Sequence, residues 1–242
     1  MISKLRQYIW GQQYNPDIIG IFVNPYYIAR KGLFENIAGL AVYITGKTLD
    51  VGCGQRPYEQ LFKSSEYIGL EIDTVMNRLT KKADFYYDGG RFPFVDKEYD
   101  SVVINQVFEH VFIPEKFLRE VNRVLKVDGM CLLTVPFVWD EHEQPHDFAR
   151  YTSFGIRTIL ENHGFAMMEQ RKSVNDIRIV FQMINAYIYK KTYSKNKWLN
   201  FLAVLVLMAP FSIIGEVLVK GLPKNDDLYL DNVVLAKKVH DV

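Results

Sequence analysis

Residues 48–54 read Thr48-Leu49-Asp50-Val51-Gly52-Cys53-Gly54, a short apolar strand running straight into a glycine pair. Glycines at 52 and 54 allow a tight turn and let a ligand lie against bare backbone. Three more strand-like runs follow, each ending on a polar side chain. Tyr67-Ile68-Gly69-Leu70 ends on Glu71, Phe85-Tyr86-Tyr87 on Asp88-Gly89-Gly90, and Ser101-Val102-Val103-Ile104 on Asn105. In an open parallel sheet such ends form the ligand crevice.

Helical segments alternate with these strands. Asn24-Pro25 predicts a helix start, with the helix running to about Ile44 and Gly46 supplying the stop. Pro114 opens a helix whose Phe117, Leu118, Val121, Val124 and Leu125 share one face. Asp128-Gly129 is expected to turn the chain into a strand from Met130 to Val135, and Ser153 to Asn162 reads as a helix closed by Gly164. Asn232 to Ala236 is the last strand candidate. The pattern predicts a doubly wound α/β sandwich with a mostly parallel sheet.

Composition narrows the function. The 242 residues are 49% hydrophobic, with 29 basic against 28 acidic side chains. That excludes a disordered tail, a collagen-like repeat and a disulfide-stapled mini-protein. A formal charge of +1 leaves no basic excess for phosphates, so nucleic acid is not an expected partner. Cys53 and Cys131 read as reduced thiols in a cytoplasmic protein. The basic start, Met1 to Arg6, leads into residues too polar for a signal peptide.

Two cofactor types compete for the strand ends. A dinucleotide site wants a third glycine to cradle pyrophosphate, and Gly52-Cys53-Gly54-Gln55-Arg56-Pro57 lacks it. A nicotinamide oxidoreductase is therefore disfavoured. Glu71, 19 residues after Gly52, is placed to accept bonds from both hydroxyls of a ribose, and Asp88 to accept from an exocyclic amine. S-adenosylmethionine, which carries no phosphate, fits this acidic pattern better.

LDVGCG, YIGLEID, DGGRFPFVDKEYDSVVINQVFEHV and FLREVNRVLKVDGMCLLTVPF together resemble class I S-adenosylmethionine-dependent methyltransferases of the broad type-11 group. The flanking NPYYIARKGL and DEHEQPHDFARYTSFGIR resemble a bacterial subgroup associated with cell-surface glycan or secondary-metabolite genes. The resemblance implies a Rossmann-like sandwich whose last strand is antiparallel. It puts Asp50, Gly52 and Gly54 beside the methionine half of the cofactor, Glu71 on the ribose, Asp88 with the Gly89 backbone on the adenine amine, and Asn105 with Gln106 beneath the sulfonium. Glu71 replaces the more usual aspartate, and Gln55 follows the glycine pair where many members have glycine or alanine. An N-terminal helical lid over 1–45 and a methyltransferase domain over 46–242, with a hydrophobic helical insertion at about 198–220, complete the expected organisation.

Methyl transfer needs an aligned acceptor and, for a hydroxyl, a base. The segment Trp139-Asp140-Glu141-His142-Glu143-Gln144-Pro145-His146-Asp147 offers His142 or His146 as that base, and Trp139 to stack on a sugar or aromatic ring. A competing reading has His146 and Asp147 only fixing the loop, with Asp147 pairing Arg150. No cysteine joins these histidines, and Glu109-His110 resembles an E-x-x-E-H metal motif in which Gln106 stands where the first glutamate would be. No metal is expected.

Residues 199–215 read LNFLAVLVLMAPFSIIG, after Lys190, Lys191, Lys195, Lys197 and Trp198. The run approaches the length that spans a bilayer, but a single crossing would strand the final β-strand on the far side. A helix pair broken at Pro210 and dipping into one leaflet, a helix buried against the domain, and a homodimer contact are the options. The expected function is methylation, on oxygen, of a small molecule or glycan by a cytoplasmic, membrane-associated enzyme; the alternative is a catalytically idle cofactor-binding subunit docked on a membrane-associated biosynthetic enzyme.

Overall fold

Seven strands form one sheet: β1 Thr45–Val51, β2 Lys63–Ile72, β3 Phe85–Tyr87, β4 Tyr99–Asn105, β5 Leu125–Pro136, β6 Phe165–Ser173 and β7 Asp231–Lys238. This is the computed structural model of the chain, and it describes residues 8–242; the basic start at residues 1–6 lies outside them. The strand order is β3-β2-β1-β4-β5-β7-β6. β1 pairs in parallel with β2 and β4, β2 with β3, and β4 with β5. The order reverses at β1, the position where open α/β sheets hold their ligands. β7 runs antiparallel to β6: Leu230 N donates to Ser173 O at the far end of β6, and Val239 N to Gly164 O at its beginning.

The helices of six residues or more among the described residues are α1 Tyr27–Leu40, α2 Val75–Thr80, α3 Pro114–Val124, α4 Ser153–Glu161, α5 Arg178–Thr192 and α6 Lys197–Leu218. A 3₁₀ turn, Ala41–Tyr43, extends α1 towards the stop expected at Gly46. The apolar face of α3 buries Phe117, Leu118, Val121 and Val124 in a core shared with Leu49, Val102, Ile104 and Leu133 of the central strands. One expectation changes. Asp128, at φ 67°, does not start a new strand but bulges one continuous strand, so that Tyr99 faces Leu125 and Ser101 already faces Met130. The crossover from β1 to β2 carries only the 3₁₀ turn Glu59–Leu61 where a full helix is usual.

The chain divides into two compact units. One takes Ile37–Phe137, Glu141–Arg171 and Asn232–Val242 and carries most of the sheet; the other takes residues 8–36, Val138–Asp140 and Lys172–Asp231. In the second unit α5 packs on α6. Asn185 Nδ2 donates to Ser212 Oγ at 2.9 Å, and a Cβ added at Gly215 would meet the Phe181 ring at 3.2 Å. Gln182 ties α5 to the start of α1, accepting from Ala29 N at 3.1 Å and donating to Pro25 O at 3.2 Å. Pro210 does not break α6 into a pair. A π-helical turn, Val204–Met208, precedes it and absorbs the proline's missing donor within one helix of 22 residues.

Candidate cofactor and acceptor site

The strand ends of the sheet unit bring the first group of polar residues together. Asp50 lies on β1 between Gly69 of β2 and Val103 of β4. It is buried, and Tyr67 Oη donates to its Oδ2 at 2.8 Å. Burial pushes the Asp50 carboxyl up to about 7, against the pull of the Tyr67 hydroxyl and the Arg56 guanidinium. A carboxylate so short of compensation is a ready partner for a cationic ligand group.

Gly52 turns the chain out of β1 at φ +69°, and a Cβ there would come within 2.3 Å of Val107 Cγ2. Gly54, at φ +54°, has nothing near its missing Cβ: the backbone is bare and open. Its N–H donates to Glu71 Oε2 at 3.2 Å, while Ile72 N donates to Oε1 of the same carboxylate, also at 3.2 Å. Glu71 is thereby fixed over the glycine turn. Lys82 N closes the loop by donating to Gly54 O at 2.8 Å, and Arg56 pairs with Asp84, which itself accepts from Gly69 N at 2.8 Å.

On the other strand ends, Asp88 Oδ1 accepts from Gly90 N at 2.9 Å, leaving Asp88 and Gly89 exposed. Asn105 Oδ1 accepts from Thr134 Oγ1 at 2.7 Å, and Gln106 N donates to Thr134 O at 3.0 Å. Asp50, Gly52 and Asn105 line one small cleft with Tyr58 and Tyr67. Asp88 and Gly89 line a larger one, of about 820 Å³, together with His110, Phe112, His146 and Phe148. Cys53 is buried and its thiol is pushed up to about 12, chiefly by burial, so it offers no thiolate.

The histidine segment of this unit folds back over the end of β4. Asp147 is the anchor: both guanidinium nitrogens of Arg150 donate to it at 2.6 and 2.7 Å, and His142 N donates to its Oδ2 at 2.9 Å. The Arg150 bonds hold the Asp147 carboxyl well below the usual range. The loop-fixing pair is therefore real. His142 turns Nδ1 to Asp147 Oδ2 at 3.2 Å and Nε2 towards Glu109 Oε1 at 3.8 Å. His110, in the 3₁₀ turn Phe108–His110, does not pack under β4; its Nδ1 donates to His146 O at 2.7 Å and its ring lies on the cleft wall. Trp139, expected beside these histidines, packs against Tyr26 in the other unit, ring centroids 5.6 Å apart. Tyr67 and Thr134 carried no sequence signal as site residues, and Glu109 only the incomplete E-x-x-E-H resemblance. Each matters through a partner distant in the chain.

Pyrophosphate has no place here. After Gly54 the chain enters a three-residue 3₁₀ turn, so no α-helix N-terminus follows the glycines. An open glycine backbone, a carboxylate fixed beside it and a buried aspartate suit a cationic amino-acid nucleoside. Comparisons with known proteins agree. Residues 49–133 match the model of a methyltransferase domain. An uncharacterized protein of Methanocaldococcus jannaschii is 30% identical over 143 residues, covering 53% of this chain and 69% of that protein. Among solved structures, the [4+2]-cyclase SpnF aligns with TM-score 0.56 and 17% identity over 87% of this chain and 82% of its own. A Haemonchus contortus phosphoethanolamine N-methyltransferase in complex with S-adenosyl-L-methionine aligns with TM-score 0.55 and 17% identity, over 96% of this chain but 57% of that one. At such identities these two speak for the fold alone. The chain belongs to the class I S-adenosylmethionine-dependent methyltransferases, and S-adenosylmethionine is its cofactor.

Proposed function

We propose that the chain methylates a hydroxyl of a small molecule or glycan at a cytoplasmic membrane surface. S-adenosylmethionine supplies an electrophilic methyl carbon, and the protein's work is to align the acceptor, exclude water and remove the acceptor's proton. The observation that carries the reading is the 820 Å³ cleft, which runs from Asp88 and Gly89 to His110 and His146. An imidazole is suited to accept a hydroxyl proton near neutral pH. In this reading His146, exposed on the cleft wall, is the general base, and His142, oriented by Asp147, is a positioning residue. Phe112 and Phe148, ring centroids 5.1 Å apart, form an apolar wall for the body of the acceptor.

His146→Ala is expected to lower transfer of labelled methyl, to a panel of hydroxylated small molecules and oligosaccharides, by about 100-fold or more. Affinity for S-adenosylhomocysteine should stay within about threefold. Equal loss of both would make His146 structural, and loss of neither would move the base elsewhere.

Asp50 gives the cofactor a pH dependence. Its pKa, about 7 in the free protein, falls when a cationic ligand settles beside it, so binding releases a proton below that pH. Affinity for S-adenosylmethionine is expected to drop about tenfold from pH 8 to pH 6, and Asp50→Asn should flatten that profile. For folding the sign is opposite. A carboxyl raised above its unfolded value favours the folded state at low pH, and that contribution is lost as pH rises towards 7.

Support for the membrane surface comes from the second unit. Val204, Met208, Ser212 and Gly215 of α6 are buried, while Trp198, Leu202, Val206, Ile213 and Val217 stand exposed, Trp198 at 76%. Lys191, Lys195 and Lys197 precede or open this helix and are exposed. Basic and aromatic residues beside a bare apolar face suit an anionic headgroup layer. Both cysteines are free and buried, in keeping with a reducing compartment.

A further inference from the structure

We propose that Glu109, His110 and His142 form a binding site for one divalent first-row transition-metal ion. Glu109 Oε1 lies 3.8 Å from His110 Nε2 and 3.8 Å from His142 Nε2, and all three ligand atoms fall within 4.8 Å of one another. These separations are too long for hydrogen bonds. Two donors held at about 2.1 Å on one ion stand roughly 3.4–3.8 Å apart, which is the spacing each histidine keeps from Glu109.

The surroundings argue more strongly than the spacing. A metal-binding histidine nearly always donates its second ring N–H to a carboxylate or backbone carbonyl, which fixes the tautomer and aims the other nitrogen. Both histidines here meet that requirement. His110 Nδ1 donates to the His146 carbonyl at 2.7 Å. His142 Nδ1 faces Asp147 Oδ2 at 3.2 Å, and Asp147 is held in turn by Arg150. Each imidazole therefore presents Nε2 to the same point, where Glu109 is fully buried. The two rings meet edge to face, centroids 4.8 Å apart.

Two imidazoles and one carboxylate select zinc, cobalt, iron or nickel over magnesium and calcium. Three protein ligands leave positions open, as in sites that activate a bound oxygen. His110 borders the cleft that holds the acceptor in the function proposed above, so the ion's part in methyl transfer rests on that reading. The site itself does not. Sequence spacing points to Glu109-His110 but cannot add His142, which comes from a different loop and meets them only in the folded unit.

The test is titration of untagged, chelator-treated full chain with cobalt(II), followed by visible absorption and needing no acceptor. One equivalent is expected to bind at micromolar concentration with ligand-field bands, and zinc should displace it. His142→Ala and His110→Ala should each weaken binding at least tenfold while circular dichroism shows a folded protein. His146→Ala, which leaves the carbonyl in place, should not. No band in the wild type, or binding that neither histidine variant weakens, would overturn the site. Because the readout is binding, loss of methyl transfer with cobalt binding intact would count against the proposed acceptor and leave the metal site standing.

Discussion

Glu71→Ala is expected to weaken S-adenosylhomocysteine binding by 100-fold or more in calorimetric titration. The carboxylate is buried, and its two oxygens are already oriented by the N–H groups of Gly54 and Ile72. Ribose hydroxyls therefore meet a fixed acceptor and incur little ordering cost. Hydrogen bonds to a charged group are each worth roughly 1.5–3 kcal/mol. Losing two amounts to at least about 3 kcal/mol, somewhat more than two decades in Kd. Glu71→Gln keeps the volume and one acceptor oxygen, and should fall between. An alanine variant that binds within threefold of wild type would place the ribose elsewhere.

The second large effect concerns α6. Wild-type protein is expected to sediment almost completely with vesicles containing anionic phospholipid, and Leu202→Glu combined with Val206→Glu to remain almost entirely in solution. Burying each large apolar side chain gains roughly 1.5–3 kcal/mol. Trp198, Leu202 and Val206 together thus supply several kilocalories that two carboxylates abolish. Each lysine near an anionic surface adds about 1 kcal/mol, so raised salt or neutral lipid should weaken the wild type without eliminating binding. A protein that ignores lipid and runs as a monomer refutes the membrane reading; one that dimerises without lipid assigns this face to a second copy.

Much of the sheet unit is legible in the sequence because its strands are short, apolar and end on polar residues. Leu49, Val102 and Leu133 face the core, while Glu71, Asp88 and Asn105 stand at the rim. β6 escapes notice because FAMMEQRKS is an edge strand with no continuous apolar run. α5 escapes for a different reason: Gln182 and Asn185 are buried and hydrogen-bonded to Ala29, Pro25 and Ser212, which no periodicity reveals. The glycine turn and Glu71 can be read locally. The pairing of Asp147 with Arg150 also can, being three residues apart. Tyr67 on Asp50, and Glu109 between two histidines, depend on strand register and loop return, which only the folded chain supplies.

The wide turn at Val204–Met208 has a geometric consequence. Residues spaced by four on an α-helix advance about 40° per step, so any such stripe slowly winds around the axis. A turn containing one extra residue sets the following segment back by about one residue's rotation. Ala209, which would otherwise drift towards the bare side, is returned to the covered side and is buried. The correction keeps α6 from spiralling its two faces into each other. What results is a plank with one attached side and one straight side, able to lie along a plane over its whole length.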